Sequence, residues 1–409
     1  MNSFKSKIES AIAAGKLPGA VTVSSNATKS FTHTAAYGPR SLDPASFAPL
    51  KTDAIMAIAS CTKLLTSICA LQCVERGQFT LDEDVSRLVP ELKLEDLDIL
   101  QGFDAEGKPK LVKATKNITL RMLLTHTAGL AYDAFTPELI RWRATRGEVA
   151  RIDKGTVIFR CKTPLMFEPG TSWVYSTGLD WAGLMISRAN NMTLQEYMIK
   201  YICTPLGITD LTFHIDQNPA LLSRLVDMTL RVGGTTPIGT SANPTGAIVY
   251  TADTFWSQPQ IDDAGGAGVY TSMPSYQKVL HSITISDEKL LSKAMNDTMF
   301  EAQLTEQQLA GLEEARQNPK TRSLITSTIP FKAKIDHGLG GMLVLEDLEG
   351  RRKKGAMHWS GLPNLNWWAD RKAGVSGVYG SQLIPTVDQQ THDMYVEFEK
   401  AVYAEVATL

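Results

Sequence analysis

A candidate nucleophile and a candidate base, Ser60 and Lys63, stand three residues apart at the start of the apolar segment "SCTKLLTSICAL". In the first turn of a helix, side chains i and i+3 share one face, so the Lys63 amine can approach the Ser60 hydroxyl. The helix N-terminus adds free N–H groups and a positive end. Burial favours the neutral amine, which can take the serine proton and create a nucleophile. The same pair is also compatible with a capping serine beside a surface lysine.

The spacing Ser-x-x-Lys is weak evidence by itself, because it occurs three times in the chain. Ser286 and Lys289 lie in "TISDEK", a charged stretch that we expect to be solvated. Ser275 and Lys278 lie in "MPSYQK", a helix start whose lysine can point to water. Only Ser60 stands where a predicted strand meets a predicted buried helix, and the context therefore favours Ser60.

Two other segments carry groups that a serine nucleophile needs. Tyr175 lies in the short polar turn "WVYSTG", where its phenol can relay a proton to a leaving alcohol or thiol; a core tyrosine is the alternative. Ser360 and Gly361 belong to "HWSGLPN", where N–H groups beside glycine can approach a substrate as an oxyanion hole requires. HExxH, G-x-S-x-G and CxxC motifs are absent, and we expect His126 and His358 to be structural. We therefore predict no metal site and no cofactor.

The composition is that of an ordinary globular protein, and its charge favours a small molecule as the binding partner. Of 409 residues, 21% are charged and 43% hydrophobic, and a net charge of -2 provides no basic field for nucleic acid or an anionic membrane. The N-terminal segment "MNSFKSKIESAIAAGKLPGA" is amphipathic and lacks the apolar run of a signal peptide. No stretch reaches the roughly 18 apolar residues of a membrane span, and five cysteines fit a reducing compartment. We expect a cytoplasmic protein without nucleic-acid or membrane partners.

The first 80 residues combine strand and helix patterns. A first helix should end near Ala14, and alternating β-branched residues predict a strand over 18–25. From Lys63 to Gly77, apolar residues recur at helical spacing and occupy most of the circumference. This pattern indicates a helix that is buried between other elements.

The middle of the chain is predicted to be mainly helical. Residues 80–130 are polar and helix-like, with the insert "GFDAEGKPK" that imitates a P-loop. Nucleotide binding is not expected there, because no apolar strand precedes the insert and Pro109 stands where Ser or Thr would bind magnesium. A helix over 179–190 and a capping box of Thr193 and Glu196 follow. From about residue 250 the chain is richer in glycine and in strand-like runs.

This order of elements predicts a mixed α/β (α+β) protein with an inserted helical lobe. We expect residues 1–80 and 191–409 to form an α/β lobe around a central antiparallel sheet. Residues 81–190 would form a mainly helical lobe, with the active site in the cleft between the two lobes.

The combined motifs closely resemble those of the serine β-lactamase-like superfamily. They are Ser-x-x-Lys at Ser60, "LLTHTAGL" at 123–130, "PGTSWVYS" around Tyr175, "PLGITDLTF" at 205–213, "GGAGVYTS" at 265–272 and "HWSG" at 358–361. Within this superfamily, the chain looks like the class C β-lactamases and family VIII esterases. Over nearly its whole length, the chain is most similar to the lovastatin-type fungal polyketide acyltransferases. The resemblance implies a β-lactamase/transpeptidase-like fold, with helices flanking an antiparallel sheet.

The resemblance also implies roles for individual residues. Ser60 would be the nucleophile, Lys63 its activating base and Tyr175 the general acid/base of the second step. The backbone N–H groups of Ser60 and Leu362 would form the oxyanion hole.

Two departures from the β-lactamase pattern concern the substrate. Trp359, Ser360 and Gly361 occupy the Lys-Thr-Gly place, so tryptophan replaces the lysine that holds a substrate carboxylate. Thr177 replaces the asparagine that those enzymes have two residues after the tyrosine. These departures argue against β-lactam hydrolysis. We expect Trp359, Ser360 and Gly361, together with Tyr132, to contact the substrate instead.

The implied reaction is acyl transfer through an acyl-enzyme on Ser60. An alcohol acceptor would make the protein an acyltransferase for a hydrophobic, polyketide-like secondary metabolite, with an acyl carrier protein or polyketide synthase as a candidate donor. Tyr132, Trp367 and Trp368 favour such a bulky acceptor. A water acceptor would make it a family VIII-type carboxylesterase for short-chain esters. A β-lactamase, a D-peptidase and an idle binding member of the fold are further alternatives.

Overall fold

The computed structural model describes residues 1–150, 155–233, 243–254, 258–318, 321–326 and 328–409. Its strands are β1 (Ala20–Asn26), β2 (Thr32–Tyr37), β3 (Ile55–Ala57), β4 (Asp98–Phe103), β5 (Pro109–Lys113), β6 (Thr229–Arg231), β7 (Ile248–Tyr250), β8 (Tyr270–Ser272), β9 (Ile335–His337), β10 (Met342–Val344), β11 (Met357–Gly361), β12 (Leu365–Asp370), β13 (Val375–Gly380) and β14 (Leu383–Ile384). Its α-helices are α1 (Asn2–Ala13), α2 (Thr62–Glu75), α3 (Leu120–Thr125), α4 (Pro137–Thr145), α5 (Val157–Cys161), α6 (Gly178–Asn190), α7 (Leu194–Met198), α8 (Thr204–Leu206), α9 (Pro219–Leu222), α10 (Met273–Ile285), α11 (Lys293–Met299), α12 (Glu306–Gln317), α13 (Arg322–Thr326) and α14 (Gln389–Val406).

The central sheet joins the two ends of the chain. Within the described residues it has seven strands in the order β2-β1-β13-β12-β11-β10-β9, and its pairings are antiparallel. Strands β1 and β2 come from the N-terminal end and the others from the C-terminal end. The sheet confirms the predicted mixed α/β class. The residue boundaries of the two lobes stay a prediction.

Strand β13 shows that this sheet is buried on both faces. Because successive side chains of a strand point to opposite faces, Val378 joins the main core, which includes residues of α2 and α10. Its neighbour Tyr379 joins a second cluster with Phe4 of α1 and Phe398 of α14. The terminal helices therefore cover one face, and α10 covers the other.

The predicted helix after Ser60 is confirmed as α2, a helix that is buried from Thr62 to Cys73. It ends before Gly77, whose φ of +68° is one that L side chains rarely adopt. The helix packs against α6 and α7. An element enclosed in this way holds the Lys63 backbone in a fixed place.

The helix-like prediction for residues 80–130 is wrong outside α3. The segment contains short 3-10 turns at Val85–Arg87, Pro90–Leu92 and Leu94–Asp96, followed by the hairpin of β4 and β5. Short side chains that cap their own backbone favour turns over a continuous helix. The Asp104 carboxylate accepts the N–H groups of Glu106 and Lys108, at 3.0 and 2.7 Å. The insert that imitates a P-loop is therefore a hairpin turn, and a strand precedes it, contrary to the prediction.

Four further local predictions are confirmed. The first helix ends at Ala13, β1 covers most of the predicted strand, and α6 covers the helix predicted over 179–190. Thr193 and Glu196 form a capping box. Among the described residues, no helix combines the length and the apolarity that crossing a membrane requires.

Candidate active site

Ser60 lies on a 3-10 turn, Ala59–Cys61, between β3 and α2. Ala59 has φ +47°, a left-handed conformation that costs roughly 1–3 kcal/mol for a residue other than glycine. The turn redirects the chain from the strand into the helix. Ser60 is partly exposed, whereas Ala59 and Cys61 are buried. The local backbone therefore presents the serine hydroxyl to a cavity that Ser60 lines.

The Lys63 amine lies 3.4 Å from Ser60 Oγ, as the i, i+3 spacing predicts. Lys63 is only 4% exposed. Its Nζ also donates to Tyr132 Oη at 2.8 Å and to the Gly266 carbonyl at 2.7 Å. These two acceptors fix the orientation of the amine, and the remaining position around Nζ faces Ser60 Oγ.

The loop that supplies the Gly266 carbonyl passes very close to α6. A Cβ on Gly266 would lie 2.3 Å from Asp180 Oδ2 and 2.9 Å from Tyr132 Oη, so a larger residue would have to displace these two side chains. Thr66 Oγ1 donates to the Gly265 carbonyl at 2.7 Å and ties the same loop to α2. Helix α2 therefore carries Lys63 and, through Thr66, also holds the loop that supplies the Gly266 carbonyl.

Tyr132 has a different position from the substrate contact that the sequence predicted. It is 9% exposed, and its hydroxyl oxygen accepts the Lys63 bond. Burial, with the Asp180 carboxylate second, raises the pKa of Tyr132 well above its usual value, so the phenol stays neutral. Sequence reasoning missed this role, because nothing local connects Tyr132 to Lys63.

Tyr175 Oη donates to Ser60 Oγ at 2.6 Å. The centroid of the Tyr175 ring lies 4.8 Å from Lys63 Nζ. The three residues singled out from the sequence therefore meet at one oxygen atom. Their catalytic roles are not tested by this geometry and remain predictions.

The end of β11 approaches the Ser60 turn closely. A Cβ on Gly361 would lie 2.4 Å from the Ile58 carbonyl and 3.1 Å from Cys61 Sγ. Leu362 and Ser60 line the same cavity of ≈ 40 Å³. This approach is compatible with the predicted oxyanion hole of the Ser60 and Leu362 N–H groups.

We expect Gly361→Ala to lower kcat by about 10²- to 10³-fold, the range measured when one oxyanion-hole donor is lost. The added methyl group must push the end of β11 away from Ser60. The measurement is ester turnover per titrated active site, together with the melting temperature. A rate near that of the parent protein would show that the Leu362 N–H is not needed.

The predicted substrate residues divide into two groups. Trp359 and Ser360 line the Ser60 cavity with Phe135 and Thr386, two residues that the sequence did not indicate. The expectation that Trp367 and Trp368 contribute to an acceptor site is wrong. They are 1% and 0% exposed, because β12 is covered on both faces.

The other two Ser-x-x-Lys pairs lack such surroundings. Lys278 Nζ donates to the Gly207 carbonyl at 2.6 Å, and Lys289 forms a surface ion pair with Asp287. Two larger cavities, of ≈ 380 and ≈ 540 Å³, are lined by none of Ser60, Lys63 and Tyr175. Within the described part of the chain, no group of three or more His, Cys, Asp or Glu residues could hold a metal ion.

Buried neutral histidines should make the protein sensitive to acid. Burial lowers the pKa of His337 and of His392 to about 4. Histidine in the unfolded chain has a pKa near 6.5, so below that pH the unfolded state binds more protons than the folded state. The free energy of unfolding therefore decreases as the pH falls from about 6.5 towards 4. We expect each imidazole to contribute roughly 2–3 kcal/mol of the loss. Urea unfolding across this range would measure it, and His392→Asn should flatten the pH dependence.

A family model described as Beta-lactamase matches residues 4–398. The chain belongs to the beta-lactamase family. Its relatives include monacolin J acid methylbutanoyltransferase of Aspergillus terreus, 36% identical over 97% of this chain and 94% of that protein. Lovastatin esterase of Penicillium rubens is 34% identical over 95% of this chain and 97% of that protein. Unliganded simvastatin synthase (LovD) of Aspergillus terreus superposes with a TM-score of 0.88 at 34% identity, over 98% and 97% of the two chains.

Membership of the beta-lactamase family makes the departures from the β-lactamase motifs informative. The Trp359 ring centroid lies 5.3 Å from that of Tyr175, and Trp359 is only 6% exposed. On the predicted motif alignment, the Trp359 indole would occupy the place of the lysine that holds a substrate carboxylate. Trp359 therefore gives the Ser60 cavity an aromatic wall.

Proposed function

We propose that the protein is a serine-dependent acyltransferase. It moves an acyl group from an ester or thioester, through an acyl-enzyme on Ser60, to the hydroxyl of a hydrophobic, polyketide-like acceptor. The observation that carries the proposal is the convergence of Lys63 Nζ and Tyr175 Oη on Ser60 Oγ, at 3.4 and 2.6 Å. The monacolin J acid methylbutanoyltransferase relative supports transfer over other serine chemistry.

In the first step Ser60 Oγ attacks the acyl carbonyl carbon. Gly266 and Tyr132 occupy two directions around Lys63 Nζ, so a neutral amine can direct its lone pair at the serine proton. The N–H groups of Ser60 and Leu362 would hold the tetrahedral oxyanion. The serine proton passes to Lys63 Nζ during the attack. When the anion collapses, the leaving alkoxide or thiolate takes that proton from the Lys63 ammonium, and an ester on Ser60 remains.

In the second step the acceptor hydroxyl occupies the place of the leaving group. We assign Tyr175, whose Oη donates to Ser60 Oγ, as the group that passes the hydroxyl proton on as the new C–O bond forms. Collapse of the second tetrahedral anion breaks the bond to Ser60 Oγ, which regains its proton. Product ester and free enzyme result.

Ester hydrolysis is the second candidate function. Ser60 and Tyr175 are both partly exposed, so water can approach the acyl-enzyme. The lovastatin esterase relative also favours hydrolysis. Apolar walls at Trp359, Phe135 and Leu362 favour an organic acceptor over water. We propose an acyl carrier protein or polyketide synthase as the natural donor, in line with a thioester substrate.

The test is the fate of the acyl-enzyme. The protein is incubated with a short-chain acyl thioester, and its intact mass is followed with and without a hydrophobic polyketide alcohol. Transfer predicts an adduct that decays slowly in water and rapidly with the alcohol, with an equivalent amount of new ester. Decay at one rate under both conditions, with free acid as product, would show an esterase. Rapid turnover of a chromogenic cephalosporin would contradict the role assigned to Trp359.

A further inference from the structure

His126 belongs to the "LLTHTAGL" motif, and the proposed chemistry leaves it without a role. It caps the end of α3 with φ +62°, a left-handed conformation in which Asn, Asp and His are enriched among residues other than glycine. Its side chain is 1% exposed. The question is what a buried imidazole in a left-handed backbone conformation contributes beside Tyr175.

The hydrogen bonds of His126 determine its tautomer. The Ser176 backbone N–H donates to Nδ1 at 3.2 Å, and since a peptide N–H can only donate, Nδ1 carries the lone pair. Ser176 Oγ lies 2.8 Å from the same nitrogen and can donate to it as well. The ring proton therefore resides on Nε2. Burial lowers the pKa of His126 well below its usual value, which agrees with a neutral ring.

His126 holds the chain on both sides of Tyr175. Its carbonyl accepts the Val174 N–H at 3.1 Å, and its Nδ1 accepts the Ser176 N–H. Its ring also packs edge-on against the Tyr175 ring, with centroids 5.0 Å apart, and is stacked with Trp359 at 6.2 Å. Backbone and side chain of one residue thus form a clamp around the tyrosine.

We propose that His126 is a positioning residue that holds the Tyr175 hydroxyl on Ser60 Oγ. This inference rests on the proposed function, because it assigns a task to Tyr175. The clamp needs two properties in one residue, a left-handed backbone and a hydrogen-bond acceptor close to that backbone, and the ring of His126 adds packing against Tyr175. A misplacement of about 1 Å in a catalytic group can reduce a rate about 100-fold.

Two substitutions separate these properties. His126→Gly keeps the left-handed turn and removes the side chain, so the Val174 bond stays while the Ser176 bond and the ring contact are lost. His126→Asn tolerates the left-handed backbone and places an amide oxygen where Nδ1 accepts the Ser176 N–H. The matched control is His392→Asn, which removes another buried imidazole, on α14.

The experiment measures acyl transfer per titrated active site, with KM for the acyl thioester and the melting temperature of each variant. His126→Gly should lose about 100-fold in kcat with little change in KM. His126→Asn should recover much of that loss, and His392→Asn should keep the parental kcat. A role limited to folding would lower melting temperature and active fraction and leave kcat per site unchanged.

Three outcomes would overturn the inference. One is a His126→Gly rate per site equal to that of His392→Asn, and another is a His126→Asn rate no better than that of His126→Gly. If His126→Gly does not fold, His126→Asn decides, because an undiminished melting temperature with a 100-fold loss of kcat would contradict the clamp. Absence of any acyl adduct on the parent protein would instead refute the proposed function, and the inference with it.

Discussion

Ser60→Ala should abolish the acyl adduct and lower turnover by at least about 10⁴-fold, the scale found when a catalytic serine is removed from a hydrolase. The change removes the Ser60 oxygen, which both Lys63 and Tyr175 contact. No covalent intermediate can then form at this site. Intact mass after incubation with an acyl thioester and the rate of ester formation are the two measurements.

The matched control is Ser275→Ala, in a second Ser-x-x-Lys pair of the same chain. Its lysine, Lys278, is exposed and donates to a backbone carbonyl, so this variant should be acylated and should turn over like the parent protein. An adduct of unchanged yield on Ser60→Ala would show that the nucleophile lies elsewhere.

Tyr175→Phe should lower the rate of acyl transfer by about 10²- to 10⁴-fold, the usual contribution of general acid–base catalysis. Phenylalanine keeps the ring contacts with His126 and Trp359 but loses the O–H that donates to Ser60 Oγ. We expect the step that needs a proton from the acceptor alcohol to suffer most. The acyl adduct should therefore accumulate and persist in the mass spectrum after the alcohol is added.

Tyr197→Phe is the control for loss of a buried phenol. Its hydroxyl accepts a bond from Arg76 at 2.6 Å, and Tyr197 contacts neither Ser60 nor its cavity. Its activity per titrated site should match that of the parent protein. If Tyr175→Phe transferred acyl groups as fast as this control, Lys63 would be the acid/base of both steps.

Local patterns predicted the elements that carry the candidate site. The apolar repeat from Lys63 to Gly77 predicted a buried helix, and α2 is one, because periodicity reports how many sides of a helix are covered. The i, i+3 spacing likewise predicted that Lys63 reaches Ser60. The same reasoning was wrong for residues 80–130, since short polar stretches with prolines and Asp caps form turns and hairpins as readily as helices.

The sequence could not predict which distant groups complete the site. Tyr132 appeared as a substrate contact, whereas the fold places its hydroxyl on Lys63, 69 residues away in the chain. Trp367 and Trp368 appeared as acceptor-site aromatics, but they point to opposite faces of β12 and are buried in separate clusters. Such outcomes depend on which surfaces pack together, and no local pattern contains that information.

The sequence by itself determined the family, the antiparallel α/β class and the serine, lysine and tyrosine on which the proposed chemistry depends, because these follow from motifs and periodicities of neighbouring residues. Only the tertiary structure decided what surrounds them. In the folded protein the Gly266 carbonyl and the Tyr132 hydroxyl accept hydrogen bonds from Lys63. Strand β11 packs against the Ser60 turn at Gly361, and His126 contacts the backbone next to Tyr175. Each of these contacts joins segments far apart in the chain, and its geometry is set by the close packing of the elements between them.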